Sequence, residues 1–321
     1  MPAAPPPLPP NAAHARDPAD GTRSGPATLP QLFDLARDIK LSHTVFALPF
    51  AALGAVLAAV HRGQPLRVGE AALVLLCMVL ARTFAMTFNR LADARLDAAN
   101  PRTQNRAVAS GRVSRATASV TLIACALGFI AAAGGFRLLY ANPWPVLFAP
   151  AVLALLAVYS LTKRFTWACH LVLGAALAAS PLAAALAIDP GYLSRPTPWL
   201  IAGMVAAWVA GFDVIYALQD VAVDRTQGLF STPARLGEAN ALWISRGLHA
   251  AALAALVAAA VVSPRLNAVF AAATAAVGLL LVLEHALVWR SRLHRLHLAF
   301  FTVNGVISLL LAAAGCWDAL R

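Results

Sequence analysis

Ala71–Asp97 reads AALVLLCMVLARTFAMTFNRLADARLD, and its two halves are written for different solvents. From Ala71 to Phe88 the only charged side chain is Arg82. A helix needs about 20 apolar residues to cross the hydrocarbon core of a bilayer, and this run supplies nearly that many. From Asn89 onward the chain turns polar, with Arg90, Asp93, Arg95 and Asp97 in quick succession. The stretch predicts a membrane helix whose end emerges into a charged site.

The rest of the chain is built the same way. Of its 321 residues, 60% are hydrophobic and 12% charged, against roughly 45–50% apolar and about 25% charged in a soluble domain. The composition predicts an all-α, polytopic membrane protein. Nine apolar runs are long enough to span: 42–61, 69–89, 115–136, 144–161, 167–187, 198–219, 241–263, 267–288 and 298–317. Pro49 and Pro150 fall inside the first and fourth, which membrane helices tolerate when neighbours satisfy the freed carbonyl. Residues 1–31 are rich in proline and alanine and lack the apolar core of a secretory signal. They read as a disordered cytoplasmic tail, leaving 32–321 as one transmembrane domain. The four cysteines sit in or beside apolar runs without metal-ligand spacing, so they read as packing residues.

A net charge of +11 raises the question of nucleic acid, but no basic patch with interleaved aromatics is present. The lipid bilayer is the partner this charge serves. Basic residues gather in alternate connections: Arg90, Arg95, Arg102, Arg106, Arg112 and Arg115; then Lys163 and Arg164. Arg225, Arg235 and Arg246 follow, and finally Arg290, Arg292 and Arg295. By the positive-inside rule these connections are cytoplasmic, with the N-terminus inside and the C-terminus outside.

Asn89, Asp93 and Asp97 are spaced by four, which puts them on one stripe of a continuing helix. A second stretch, GFDVIYALQDVAVDRTQGLFSTPARLG (Gly211–Gly237), spaces Asp213, Tyr216, Asp220 and Asp224 by three, four and four. Asp213 lies below the membrane interface, where an ionisable side chain is expensive and marks a functional position. Both stripes face the same side of the membrane. Facing aspartates suit Mg²⁺, which is bound by one or two carboxylates together with substrate phosphates. Lys163, in YSLTKRFT (Tyr159–Thr166), adds a cation to that face, and Arg102 and Arg106 can supply more. Such an assembly stabilises a departing diphosphate electrostatically. Arg82 shares the face of Asn89 about 10 Å deeper. It is placed either to hold the carboxylate of an aromatic acid or to pair structurally with Asp213 or a helix carbonyl. His170, His249 and His285 lie near run ends and read as packing or hydrogen-bonding residues.

These motifs resemble those of the UbiA superfamily of membrane prenyltransferases, over roughly residues 32–320. The family's N-D-x-x-D-x-x-x-D motif is matched at Asn89, Asp93 and Asp97, with Arg90 in place of its second aspartate. Its D-x-x-x-D motif is matched at Asp220 and Asp224, and its Y-x-x-x-K element at Tyr159 and Lys163. The form FNRLADARLDAANPRT, with IKLSHTVFALPFAALGA (Ile39–Ala55) and FTWACHLVLG (Phe165–Gly174), is similar to the 4-hydroxybenzoate polyprenyltransferase branch. That branch includes members linked to menaquinone synthesis on hydroxynaphthoate acceptors.

The resemblance implies a bundle of about nine helices in the cell inner membrane, with its active-site cavity open to the cytoplasm. It implies transfer of a polyprenyl group from its diphosphate to an aromatic hydroxy acid, with Mg²⁺ as cofactor. Catalysis and metal binding fall to Asp93, Asp97, Asp220 and Asp224, with Lys163 assisting. Substrate contacts fall to Asn89, Arg82, Arg102, Arg106, Tyr159, Asp213, Tyr216 and Arg225. The small residues of GAALAAS (Gly174–Ser180) and AAAL (Ala183–Leu186) leave room for an isoprenoid tail or serve close helix packing. The acceptor is 4-hydroxybenzoate or, alternatively, a hydroxynaphthoate. A CDP-alcohol phosphotransferase would need a D-G-x-x-A-R run that is absent. A cation transporter would place its charges near the membrane midplane, whereas these cluster at one interface.

Overall fold

The computed structural model describes residues 29–39, 46–291 and 299–321. Among them the chain is helical throughout, with no strand. In order the helices are α1 (Leu29–Ile39), α2 (Leu48–His61), α3 (Val68–Ala92), α4 (Ala94–Ala98), α5 (Arg115–Tyr140), α6 (Trp144–Thr162) and α7 (Cys169–Ile188). They continue as α8 (Pro196–Tyr216), α9 (Val221–Thr226), α10 (Thr232–Leu236), α11 (Glu238–Val262), α12 (Ala268–Ser291) and α13 (Asn304–Leu320).

Eight segments are long and apolar enough to cross a membrane, one fewer than the sequence suggests. The difference is α2, which is apolar but only 14 residues long. At 1.5 Å per residue it covers about 21 Å, short of the ~30 Å core. The expected first residues of that span, 42–45, lie outside the described residues, as do residue 298, Arg292 and Arg295. Of the proline-rich stretch, residues 1–28 lie outside them too, and α1 already begins at Leu29. Pro49 is not interior to its helix. It occupies the first turn of α2, where its missing N–H has no bond to lose. Pro150 is inside α6, and Pro181 is inside α7.

Apolar helices gain nothing by leaving apolar lipid, so close approach of small residues must hold them together. The contacts show this. A Cβ on Gly174 of α7 would come 2.2 Å from the carbonyl oxygen of Ala206 in α8, and one on Gly54 of α2 would come 2.4 Å from that of Pro181. Helix α8 lies between α7 and α11 and buries Val205, Trp208, Val209 and Phe212. Trp208 meets Phe50 and Phe212 edge to face at 5.6 and 5.0 Å. Outward-facing Val120, Ile123, Leu127, Leu279 and Val282 remain exposed as a lipid-facing belt. Trp144, Trp199, Trp243 and Trp317 sit exposed at helix ends, as interfacial aromatics do.

The up-and-down course brings the connections 93–114, 163–168 and 217–237 to one end of the bundle. Helix α1 lies against the same end, joined by Thr117, whose hydroxyl donates to Gln31 Oε1 at 2.5 Å. This basic end carries the site.

Candidate active site

Two aspartates interrupt the helices that deliver them. Asp93 ends α3 with φ −95° and ψ 4°, and Asp220 precedes α9 with φ −105° and ψ 1°. Both occupy the sparsely populated bridge region, where many active-site residues are found. The sequence predicts two unbroken stripes; in the structure the regular helix is interrupted at Asp93 in the first and at Asp220 in the second. The first interruption keeps the helical bonding, with Asp93 N donating to Asn89 O at 2.9 Å and Asp97 N to Asp93 O at 2.8 Å. The second runs through a 3-10 turn at Ala217–Asp220.

Each carboxylate is met by donors from another part of the chain. Asp93, only 1% exposed, accepts from Lys163 Nζ at 2.6 Å and from Arg164 at 3.1 Å. Asn89 Nδ2 donates to the same carboxylate at 3.1 Å. Asp97 accepts twice from Arg106, at 2.8 and 3.0 Å. Arg102 forks onto Asp220 at 2.9 and 2.5 Å, lies 5.6 Å from the centre of the Tyr216 ring and donates to its hydroxyl at 3.4 Å. Burial opposes the charge of Arg102, but the hydrogen bond and charge of Asp220 prevail and raise its pKa above the usual value. Asp224 accepts from Ser231 Oγ at 2.5 Å. Because Arg102 belongs to the connection after the first stripe and Asp220 to the second, this pair brings the stripes together. Gln227 reinforces the junction by donating to Leu96 O at 3.0 Å, and Phe230 N donates to Lys163 O at 2.7 Å.

Beneath the carboxylates a cavity of about 330 Å³ runs into the bundle. Its polar end has Asn89, Asp213, Arg82 and Tyr159; its far end has Val74, Phe136 and Ala187. On α3 the lining passes from Asn89 to Val74, 15 residues or about 22 Å of helix. On α7, Ala176, Ala179, Ser180, Ala183 and Ala184 line it. The small residues of that helix therefore open space as well as permitting close packing. Arg82 forms no ion pair among the described residues, and its Nε is buried without a hydrogen-bond partner. The structural pairing with Asp213 allowed by the sequence does not form.

Two expected positions make contacts of their own. Arg225, expected to bind substrate, is exposed and donates to Ala234 O at 3.2 Å, so it braces α10. Asp213 lies on the cavity wall, 2.6 Å from His170 Nδ1. His170 Nε2 accepts from Thr232 N at 3.3 Å, so Nδ1 is left to donate to Asp213. Sequence reading missed Arg164, Asn100, Ser231 and Asp38. Arg164 adjoins Lys163 and was legible as a second cation; Asn100 donates to Asp220 at 3.4 Å, and nothing in the sequence announces it. The cysteines are free.

Comparison with known proteins gives the family and the fold. A model of the UbiA prenyltransferase family matches residues 47–313. A 4-hydroxybenzoate octaprenyltransferase from Chromohalobacter salexigens is 32% identical over 210 residues, covering 64% of this chain and 66% of that protein. The mitochondrial 4-hydroxybenzoate polyprenyltransferase of Drosophila pseudoobscura is 34% identical over 180 residues, covering 56% and 43%. The chain thus spans two thirds or less of the length of these curated relatives. Among solved structures, an apo UbiA homolog from Aeropyrum pernix K1 superposes with a TM-score of 0.76 at 33% identity, covering 86% of this chain and 97% of that one. A UbiA homolog from Archaeoglobus fulgidus bound to GPP and Mg²⁺ shares the fold, with a TM-score of 0.64 at 20% identity, covering 90% and 100%.

Proposed function

The chain belongs to the UbiA prenyltransferase family, and from that premise we propose that it transfers a polyprenyl group from its diphosphate to 4-hydroxybenzoate. The observation that carries this reading is the continuity of a single cavity. Its polar end begins at Asn89, which donates to Asp93 of the carboxylate cluster; Arg82, without an ion pair among the described residues, stands just inside, and apolar walls run on for about 22 Å of helix. Each part suits one part of the substrates: diphosphate, aromatic carboxylate, isoprenoid tail. The positive-inside rule supports a mouth facing the cytoplasm of the inner membrane.

The donor set fits Mg²⁺. It consists of hard carboxylate oxygens, and among the described residues no three ligating side chains close around an ion. That suits a cation that takes one or two carboxylates and completes its shell with phosphate and water. Asp93 with Asp97, and Asp220 with Asp224, would each hold one such ion, and when bound these ions would supply Lewis-acid charge neutralisation for the diphosphate. Lys163, Arg102 and Arg106 then turn from the carboxylates to phosphate oxygens and stabilise the charge that grows as the allylic C–O bond breaks. Arg82 holds the acceptor carboxylate bidentately, which fixes the ring against the allylic carbon. Tyr159 shares that part of the wall. The ring carbon ortho to the hydroxyl forms the new C–C bond, and Asp213, oriented by His170, takes the displaced ring proton. The apolar walls exclude water, which would otherwise capture the allyl cation.

The test is direct. Protein purified into lipid nanodiscs is given geranyl or octaprenyl diphosphate with 4-hydroxybenzoate or 1,4-dihydroxy-6-naphthoate, and products are read by mass spectrometry. Prenylated 4-hydroxybenzoate, lost with EDTA and restored by Mg²⁺, is expected. Product on the naphthoate alone would reassign the acceptor. No prenylated aromatic acid at all would overturn the reading.

A further inference from the structure

Asp38, Arg90 and Asn89 form a chain of contacts that leads into the carboxylate site from α1. The side chains of Arg90 and Asp38 are largely buried, 7% and 14% exposed. Arg90 Nε donates to Asp38 Oδ2 at 2.6 Å, and Nη2 approaches Asp38 O at 3.4 Å. Its remaining nitrogen, Nη1, donates to Asn89 Oδ1 at 3.0 Å.

A guanidinium has donors only, and an amide has one acceptor oxygen. Contact with Arg90 therefore decides which way the Asn89 amide is turned. Its oxygen faces Arg90, and its Nδ2 faces Asp93 at 3.1 Å. A guanidinium on Oδ1 also repels any second cation from that oxygen. Asp38 balances the charge of Arg90 on the side away from the cavity, so this guanidinium is already engaged when diphosphate arrives.

Resting on the diphosphate-site reading above, we propose that Arg90 is a positioning residue. Clamped by Asp38, it holds Asn89 as a hydrogen-bond donor to the site and withdraws the Asn89 oxygen from any role as a metal ligand. An aspartate at position 90 would act in the opposite sense. It could not donate to Asn89, it would repel Asp38, and it would release the amide to turn.

The experiment uses the full chain in nanodiscs with two readouts. One is Mg²⁺-dependent binding of unreactive geranyl thiodiphosphate by calorimetry; the other is kcat and KM for geranyl diphosphate with 4-hydroxybenzoate. Arg90→Met and Asp38→Asn are each expected to weaken Mg²⁺-dependent binding about 10–100-fold, the usual loss when a partner that orients a metal-site residue is removed. Arg90→Lys should recover part of this, because one charged donor remains. In a double-mutant cycle, adding Arg90→Met to Asn89→Ala should weaken binding by less than about threefold, because residues acting through one another are not additive. Full additivity, or unaltered binding in Arg90→Met, overturns the proposal. If Arg90→Met does not fold, the cycle is run with Asp38→Asn under the same criterion. A wild-type protein that binds no prenyl thiodiphosphate overturns the functional reading instead, so the two failures are distinct.

Discussion

Lys163 Nζ stands 2.6 Å from Asp93 Oδ2, joining the residue that caps α6 to the one that ends α3. The lysine is 31% exposed and the carboxylate 1%. One charge faces inward and is fixed, while the other reaches it from a more open position. A cation so placed can leave its carboxylate for an incoming phosphate, whereas the carboxylate itself stays where the interruption of the helix has put it.

Asp93→Asn and Asp220→Asn keep side-chain shape and remove charge. Each is expected to lower kcat about 10²–10³-fold, the scale found when one electrostatic stabiliser of a transition state is removed. Both variants should still insert, with a larger fall in melting temperature for Asp93→Asn, because its buried carboxylate balances Lys163 and Arg164. Initial rates and a thermal scan on the same preparation check this, and near-normal rates in both variants would exclude a diphosphate role.

Arg82→Met should separate binding from stability. Loss of a charge-assisted bond of about 1.5–3 kcal/mol should raise KM for 4-hydroxybenzoate roughly 10–100-fold, while KM for the diphosphate moves less. Because Arg82 Nε is buried without a partner, replacing the guanidinium by an apolar chain should not lower the melting temperature. A fall in stability without a change in KM would mean that the residue is structural.

Ala179→Leu adds three carbons to a wall of the cavity. Overfilling such a site costs about 1–3 kcal/mol, so kcat/KM for octaprenyl diphosphate should fall about tenfold or more. Geranyl diphosphate, which occupies only the polar end, should be used nearly as before. Competition between the two diphosphates in one reaction measures the ratio directly.

Gly174→Ala tests packing alone. Its Cβ would sit 2.2 Å from a backbone oxygen of α8, and backbone cannot yield as a side chain does. Destabilisation of about 1–3 kcal/mol is expected, visible as a lower melting temperature in detergent.

The membrane class of this protein was legible because the bilayer imposes a local rule. Each spanning helix must satisfy its own backbone hydrogen bonds, so length and apolarity within one segment suffice to reveal it. The carboxylate stripes were legible for a similar reason, since spacing by four is a property of one helix. Asn89, Asp93 and Asp97 could be grouped without knowing what lay opposite them. What fell outside this local reach was pairing. Arg225, next to Asp224 in sequence, braces α10, whereas Arg102 crosses to Asp220, 118 residues away. Arg90 pairs with Asp38 across 52 residues, and His170 with Asp213 across 43. Long charged side chains have many rotamers, and the one adopted depends on which opposite charge the packed helices bring within reach. Composition and period therefore determine that two carboxylate stripes lie at one end of a helical bundle. Only the packing of α3, α6 and α8 decides which donor answers each carboxylate, and that Arg82 has no ion pair among the described residues.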